Sequence, residues 1–194
     1  LLLVSPYYNK ATQNGLKAHF KAVADAVKIP ILLYNIPGRT GVTILPQTIA
    51  ALCKNVENIV GVKEASGNFS AIATLMNLAD GKVDLYSGND DQIVPLLSLG
   101  GKGVISVLSN VIPAETVAIT QRFFAGDVAG AAQLQCRYMP LIRALFCESN
   151  PIPVKAAMAA LGYCDNYLRL PLVPMEEDHY QGMLQRMREL GLPV

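Results

Sequence analysis

The chain has 194 residues, of which 52% are hydrophobic and 16% are charged. This composition is typical of a globular protein with a large core, and it excludes an intrinsically disordered chain. The formal net charge is only +1 and the basic residues are scattered, so we expect no nucleic-acid partner. No run of residues reaches the ~18 consecutive apolar positions that span a bilayer, and we therefore expect no membrane association either.

Short apolar runs alternate with amphipathic segments, and this pattern predicts strands and helices in turn. In chain order, the predicted strands are Leu1–Ser5, Pro30–Asn35, Asn58–Lys63, Val83–Ser87 and Gly103–Val107. The helices predicted between them are Gln13–Val27, Pro46–Cys53, Asn68–Ala79 and Asp91–Leu99. From Ala114 onward the chain is predicted to be helical, with breaks near Gly126, Asn150–Pro153 and Asp165–Pro174.

Nearly all-apolar strands separated by helices indicate a parallel sheet that is buried on both faces. The segment after the first strand lacks the Gly-rich phosphate turn of an open doubly wound sheet, which favours a barrel. A complete (β/α)8 barrel needs about 250 residues. We therefore predict the C-terminal portion of an α/β (β/α)8 TIM barrel, with about five strands, in a chain that begins inside a strand. The predicted division is a partial barrel over residues 1–125 and a C-terminal helical extension over residues 126–194.

The 4 cysteines are Cys53, Cys136, Cys147 and Cys164, and none belongs to a Cys-x-x-Cys pair. On one helix, Cys136 and Cys147 would lie roughly 16 Å apart, which is too far for a disulfide. With only 2 histidines in the chain, no zinc constellation is apparent. We therefore expect reduced core thiols in a cytoplasmic protein, with no metal and no cofactor.

Lys63 lies at the predicted C-terminal end of the third strand, where a barrel strand meets its loop. Side chains of barrel strands alternate between the interior and the helix layer. This alternation predicts that Ile59, Gly61 and Lys63 face the interior while Val60 and Val62 face the helices. Gly61 would then leave space directly beneath Lys63. The C-terminal ends of the strands form the face on which barrel active sites are built.

Tyr34 has the corresponding position at the end of the neighbouring second strand. A lysine removed from water loses its proton more easily and can then form a Schiff base with a keto acid. A tyrosine within hydrogen-bond reach can shuttle protons during imine and enamine formation. On position alone, two ordinary alternatives stay open: Lys63 as a strand-end lysine with its head in solvent, and Tyr34 as a rim aromatic in the core.

Arg39 lies on the loop that follows the second strand. An arginine at that place can hold a carboxylate through two parallel hydrogen bonds. A solvated loop arginine is the alternative that position alone leaves open.

Five segments together resemble the dihydrodipicolinate synthase and N-acetylneuraminate lyase family of class I aldolase-like barrels. They are Pro6–Asn9, Tyr34–Gly41, Gly61–Asn68, Ser87–Asp90 and Asn150–Lys155. They follow the family's order along nearly the whole chain, which makes the resemblance specific.

The resemblance implies a catalytic role for three of these residues. Lys63 would be the lysine that forms the Schiff base with pyruvate, and Tyr34 would be the proton-relay tyrosine. Tyr8 matches the tyrosine that members of the family insert into the active site of a neighbouring subunit. The relay threonine that the family carries near an earlier strand has no counterpart in this sequence.

Four further residues have implied binding roles. Arg39 matches the arginine that helps to bind the carboxylate of the aldehyde substrate. Gly88 and Ile105 fall where the family lines its pyruvate pocket. Tyr7 aligns with a residue near the dimer interface, where lysine inhibits some members.

The Arg-Thr-Gly ending at residues 39–41 resembles the dihydrodipicolinate synthase branch, because sialic acid lyases generally lack an arginine there. The resemblance thus implies condensation of pyruvate with L-aspartate 4-semialdehyde, a lyase-class step toward diaminopimelate and lysine, in a dimer or tetramer. One alternative is a related pyruvate-dependent aldolase, such as N-acetylneuraminate lyase or a keto-deoxy sugar acid aldolase. The other is a noncatalytic fragment or scaffold.

Overall fold

The computed structural model describes all residues from Leu1 to Val194. The chain forms two compact units, Leu1–Ile105 and Ser106–Val194. No helix in either unit has the length and apolar character needed to cross a membrane.

The first unit alternates strands and helices along its whole length. In chain order it contains β1 (Leu2–Val4), α1 (Gln13–Asp25), β2 (Ile31–Asn35), α2 (Pro37–Thr40), α3 (Pro46–Asn55), β3 (Ile59–Glu64), α4 (Phe69–Ala79), β4 (Asp84–Ser87), a 3₁₀ turn (Asp90–Gln92), α5 (Ile93–Ser98) and β5 (Gly103–Val104). The five predicted strands and the four predicted helices between them are all present, with ends that differ by a few residues. The single helical turn α2 was not predicted, because four residues are too few to show a helical period.

The strands form one five-stranded sheet in the order β1-β2-β3-β4-β5, and each pairs in parallel with the next. Parallel neighbours need crossover connections, and the helices of this unit provide them. Because all five strands run in the same direction, their C-terminal ends and the loops that follow lie at one edge. Every candidate site residue of this unit lies on that edge or on a loop that leaves it.

The core of the first unit lies between the sheet and the helices. Helix α1 begins after Thr12, whose hydroxyl accepts a hydrogen bond from the Gly15 amide, as a helix N-cap does. Its residues Leu16, Phe20 and Ala24 are buried at intervals of four and pack with the buried strand residues Leu33 and Val62. Burial of this kind supplies most of the free energy that holds sheet and helices together.

Strand β3 departs from the predicted alternation in its first half. Ile31 of β2 pairs with Ile59, but the next residue, Leu32, pairs with Gly61, so the register shifts by one residue. Ile59 therefore lies with Ile31 in the buried core and not on the interior face, and its predicted orientation was wrong. Such an irregularity places two residues of one strand against one of its partner, which a sequence pattern does not reveal.

The role predicted for Gly61 was also wrong. A Cβ atom at this position would lie only 2.1 Å from the backbone oxygen of Asp84 on β4. The glycine therefore permits close approach of the neighbouring strand, where we had expected it to leave space beneath Lys63. Any larger residue would push β3 and β4 apart.

The second unit is helical. It contains a 3₁₀ turn (Leu108–Asn110), α6 (Pro113–Phe124), α7 (Val128–Leu145), α8 (Ile152–Ala160) and α9 (Glu177–Glu189). The predicted fifth strand ends early, at Val104, because the chain turns just after it: the hydroxyl of Ser106 accepts a hydrogen bond from the Ser109 amide. The functional division after residue 125 stays a prediction.

The cysteines are free thiols, and only Cys53 is partly buried. Cys136, Cys147 and Cys164 are exposed, so the expectation of core thiols was wrong for these three. All three lie in the helical unit, where the side chains that fill the interior come mainly from Leu, Ile, Met and Ala.

Candidate active site

Lys63 and Tyr34 are direct neighbours across β2 and β3. The strand register pairs the two residues, and each is the next-to-last residue of its strand. The amine Nζ of Lys63 lies 4.3 Å from the centroid of the Tyr34 ring. The predicted proximity of these two side chains at the C-terminal edge is therefore confirmed.

Burial shifts the pKa values of both side chains in the direction that disfavours charge. Removal from water lowers the pKa of Lys63, and the negative charge of Asp90 opposes this change. Burial likewise raises the pKa of Tyr34, and the positive charge of Arg39 opposes that change. The lysine is thus closer to its neutral, nucleophilic form than a solvated lysine would be, and the tyrosine keeps its proton.

Arg39 lies in the turn α2, which follows β2 after one residue. Pro37 occupies the first turn of this helix and Gly41 ends it with a φ of 71°, a conformation that glycine adopts readily. The positive charge of Arg39 opposes the rise in the pKa of Tyr34, so the guanidinium acts electrostatically on the tyrosine. The loop therefore brings a positive charge to the same edge as Lys63.

Gly88 contacts the Lys63 side chain. A Cβ atom at Gly88 would lie 3.1 Å from Cε of Lys63 and 2.7 Å from Cβ of Ala65, so a side chain would displace the lysine or its loop. The Gly88 amide donates a hydrogen bond to the Glu64 carbonyl at 2.8 Å, which fixes this close approach. Ile105 lies at the same edge, where its amide donates to the carbonyl of Ser87 at 2.8 Å.

Tyr7 and Tyr8 are not part of the cluster around Lys63. Both are strongly exposed, at 72% and 87%, on the loop after β1. Tyr8 and Lys10 have positive φ values of 70° and 48°, which few non-glycine residues adopt. The loop thus presents two tyrosine rings to solvent in a defined conformation, with Asn9 donating a hydrogen bond to the Tyr7 carbonyl.

Three polar residues near the cluster had no role in the sequence-based interpretation. Asp90 is buried and acts electrostatically on Lys63. Asn35 and Glu64 are also buried, and Asn35 Nδ2 donates a hydrogen bond to Glu64 Oε2 at 2.8 Å. In the sequence, the available signal was the position of Asn35 and Glu64 directly after Tyr34 and Lys63.

No group of three or more His, Cys, Asp or Glu side chains has the geometry of a metal site. What the cluster can do chemically follows from its groups. A neutral amine attacks a carbonyl carbon, a phenol donates or accepts a proton, and a guanidinium binds a carboxylate.

Parallel strands with crossover helices, and a lysine beside a tyrosine at their C-terminal ends, define a barrel-type α/β protein with a candidate carbonyl-binding lysine. The sequence model of the Dihydrodipicolinate synthetase family matches residues 1–190. The chain belongs to this family.

The relatives agree with this assignment in sequence and in fold. The 4-hydroxy-tetrahydrodipicolinate synthase of Lachnoclostridium phytofermentans is 51% identical over 192 residues, which cover 99% of this chain and 65% of the relative. The crystal structure of dihydrodipicolinate synthase from Thermotoga maritima has a TM-score of 0.96 at 42% identity and covers 99% of this chain and 66% of that one. The chloride-inhibited dihydrodipicolinate synthase from Acinetobacter baumannii, solved in complex with pyruvate, has a TM-score of 0.94 at 41% identity, with coverages of 99% and 66%.

The chain therefore spans about two thirds of the length of the relatives that it matches. Its fold class is the predicted one: five parallel strands of a TIM-barrel α/β fold, followed by a C-terminal helical tail.

Proposed function

We propose that this chain carries the catalytic lysine of a Schiff-base lyase that condenses pyruvate with L-aspartate 4-semialdehyde to 4-hydroxy-tetrahydrodipicolinate. The single observation that carries the proposal is the placement of the Lys63 amine 4.3 Å from the Tyr34 ring, both half-buried at the C-terminal edge of the sheet. Relatives named for this reaction, one of them solved with pyruvate, support the choice of substrates. The product belongs to the biosynthesis of diaminopimelate and lysine.

The first chemical step joins Lys63 to pyruvate. The neutral amine attacks C2 of pyruvate, and the resulting carbinolamine loses water to give an imine between Nζ and C2. Tyr34, which keeps its proton because burial raises its pKa, supplies a proton to the departing hydroxyl. Loss of a proton from the methyl carbon then gives the enamine, which is the carbon nucleophile.

The second step forms the carbon–carbon bond. The enamine carbon attacks the aldehyde carbon of the semialdehyde, whose oxygen takes up a proton and becomes the 4-hydroxyl group. The substrate's own amino group then attacks the imine carbon and displaces Lys63, which closes the ring and restores the free amine. One water is released overall, from imine formation, and no oxidant or reductant is consumed.

The remaining candidate residues take binding roles in this proposal. Arg39 binds the carboxylate of the semialdehyde, while Gly88 and Ile105 line the pyruvate pocket. Tyr8 completes the proton relay in a neighbouring subunit of a homo-oligomer, a dimer or tetramer. Tyr7 belongs to the adjacent interface, at which lysine would act as an inhibitor. We place the protein in the cytoplasm, with its small-molecule substrates as partners and without a cofactor.

The choice of acceptor separates this proposal from a related aldolase. The purified chain is incubated with pyruvate and either L-aspartate 4-semialdehyde or N-acetylmannosamine, and pyruvate consumption is measured. We expect pyruvate to be consumed when the semialdehyde is the acceptor and not when N-acetylmannosamine is. Arg39→Ala should raise the KM for the semialdehyde more than the KM for pyruvate. Equal or greater consumption with N-acetylmannosamine would contradict the proposed substrate.

A further inference from the structure

A buried row of polar side chains lies directly behind the row that contains Lys63 and Tyr34. Asn35 and Glu64 each follow one of these residues, they pair in the strand register, and they are only 2% and 5% exposed. Since successive residues of a strand point to opposite faces, their side chains point away from the face that carries Lys63. Buried charges are rare without a specific partner, so this row needs an explanation.

The two side chains are joined to each other and to the two loops that follow their strands. Asn35 Nδ2 donates a hydrogen bond to Glu64 Oε2 at 2.8 Å. Asn35 Oδ1 accepts one from the Ile44 amide at 3.0 Å, at the far end of the loop that contains Arg39. Glu64 Oε1 accepts one from the Ser66 amide at 2.7 Å, in the loop directly after Lys63. A continuous chain of three hydrogen bonds thus connects the two loops.

The chemistry of the two side chains determines which group donates and which accepts in each of these hydrogen bonds. A carboxylate only accepts hydrogen bonds, whereas an amide accepts with its oxygen and donates with its nitrogen. The backbone amides of Ile44 and Ser66, at the two ends of this series of hydrogen bonds, both donate. The two side chains must therefore provide two acceptors facing outward and one donor between them. An amide beside a carboxylate satisfies this requirement, while two carboxylates or two amides do not.

We propose that Asn35 and Glu64 are positioning residues that set the geometry of Arg39 and Lys63 for catalysis. The inference rests on the proposed function, because it assigns these residues to the same reaction without contact with the substrates. When this series of hydrogen bonds is broken, the Ile44 amide loses its restraint, which releases the Arg39 loop. The Ser66 amide loses its restraint as well, which releases the loop after Lys63. The Glu64 carboxylate thereby links the position of Arg39, which binds the semialdehyde in the proposed function, to that of Lys63, which binds pyruvate.

Exchange of the two side-chain types provides a sharp test. In Asn35→Asp, measured at a pH high enough to ionise both carboxyl groups, two carboxylates face each other and no donor lies between them. In Glu64→Gln, the new amide oxygen still accepts a hydrogen bond from the Ser66 amide. The amide nitrogen of the glutamine then faces the amide nitrogen of Asn35, and two donors meet. The double variant Asn35→Asp/Glu64→Gln restores all three hydrogen bonds with the central one reversed, and it leaves the net charge unchanged. Both residues line a cavity of about 170 Å³, which accommodates small adjustments of the swapped groups.

The hydrogen-exchange rates of individual backbone amides report whether these hydrogen bonds are intact, and the measurement does not require enzyme activity. The Ile44 and Ser66 amides should exchange about tenfold faster or more in each single variant, since a buried hydrogen bond is lost, and return toward the wild-type rate in the double variant. The Ala131 amide, which donates to the Asp127 carbonyl at the start of α7, serves as an internal control. Glu177→Gln on the exposed helix α9, where Gln181 donates to Glu177, is the matched control variant.

The catalytic consequence is measured by trapping the pyruvate imine at Lys63 with borohydride. We expect the trapping rate to fall about tenfold or more in the single variants and to recover in the double variant, with folding verified by circular dichroism. The KM for the semialdehyde should follow the same pattern, because it reports the Arg39 loop. If Asn35→Asp does not fold, Glu64→Gln and the double variant still decide the question.

Unchanged exchange of Ile44 and Ser66 in a folded Glu64→Gln variant would overturn the proposal. Faster exchange with wild-type trapping at Lys63 would also overturn it, since the pair would then serve folding alone. Absence of any trapped adduct in the wild-type chain would refute the proposed function, and the exchange pattern would still decide whether the pair holds the two loops.

Discussion

Nζ of Lys63 lies 4.3 Å from the centroid of the Tyr34 ring, and the two residues are paired in the register of adjacent parallel strands. The face of the ring therefore lies next to the amine, and the positive charge of Arg39 acts electrostatically on the tyrosine. Ring and hydroxyl have separable effects. The ring shields one side of the amine from water, and in the proposed reaction the hydroxyl transfers protons.

Replacement of the hydroxyl alone tests this separation. Tyr34→Phe keeps the ring, so the fold should be unchanged, but borohydride trapping of pyruvate at Lys63 should slow by about 10²–10⁴-fold because proton transfer is lost. Tyr86→Phe is the matched control: Tyr86 pairs with Lys63 from the other side, and its ring lies against Gly103. Equal slowing in both variants would contradict a specific role for the Tyr34 hydroxyl.

The pH dependence of Lys63 reactivity follows from the direction of its pKa shift. Burial lowers the pKa of Lys63, so half-maximal reductive methylation should occur below the ordinary lysine value of about 10.4. Asp90 opposes that shift, and Asp90→Asn should therefore move the midpoint to still lower pH. Lys102 is an internal comparison, because its hydrogen bond to Asp84 raises its pKa and should make it react at higher pH. A Lys63 midpoint at or above that of Lys102 would be incompatible with this account.

Gly88 should tolerate no side chain. Gly88→Ala would place a methyl group 3.1 Å from Cε of Lys63 and 2.7 Å from Cβ of Ala65, and we expect pyruvate trapping to fall by more than about tenfold as the lysine is displaced. Gly182→Ala is a control on helix α9, where a Cβ atom meets nothing within 4 Å. Mass analysis after borohydride treatment gives the comparison, and wild-type trapping in Gly88→Ala would rule out the tight contact.

The proposed insertion of Tyr8 into a neighbouring subunit is tested by complementation. Lys63→Ala and Tyr8→Phe should each impair turnover of pyruvate with the semialdehyde. When the two variants are mixed and allowed to exchange subunits, some sites combine an intact Lys63 with an intact Tyr8 from the neighbour, so activity should return. Two Tyr8→Phe preparations mixed in the same way are the control. Without recovery in the mixed sample, Tyr8 would not act across an interface.

The sequence was sufficient to predict the five strands, their order along the chain and the meeting of Lys63 with Tyr34. Periodicity indicates which residues of a strand share a face, and parallel strands bring their C-terminal ends to one edge. Those two facts already place a lysine near a tyrosine. The helical turn α2 around Arg39 escaped prediction because it is too short to have a pattern.

Other features depend on the register between strands, which a single strand does not encode. Gly61 was expected to open space beneath Lys63, yet it accommodates the backbone of β4 at Asp84. Asn35 and Glu64 are ordinary polar residues in the sequence, and their hydrogen bond becomes visible only when β2 and β3 are aligned. A shift of one residue at Ile59 likewise follows from pairing and not from local composition.

The most direct test of the central claim is the identification of the residue that binds pyruvate. The chain is treated with pyruvate and borohydride, digested, and analysed by peptide mass spectrometry, with Lys63→Arg treated in parallel. We predict a reduced three-carbon adduct on Lys63 in the wild-type chain and no adduct at that position in the variant. A folded wild-type chain that remains unmodified at Lys63, or that is modified equally at its exposed lysines, would contradict it.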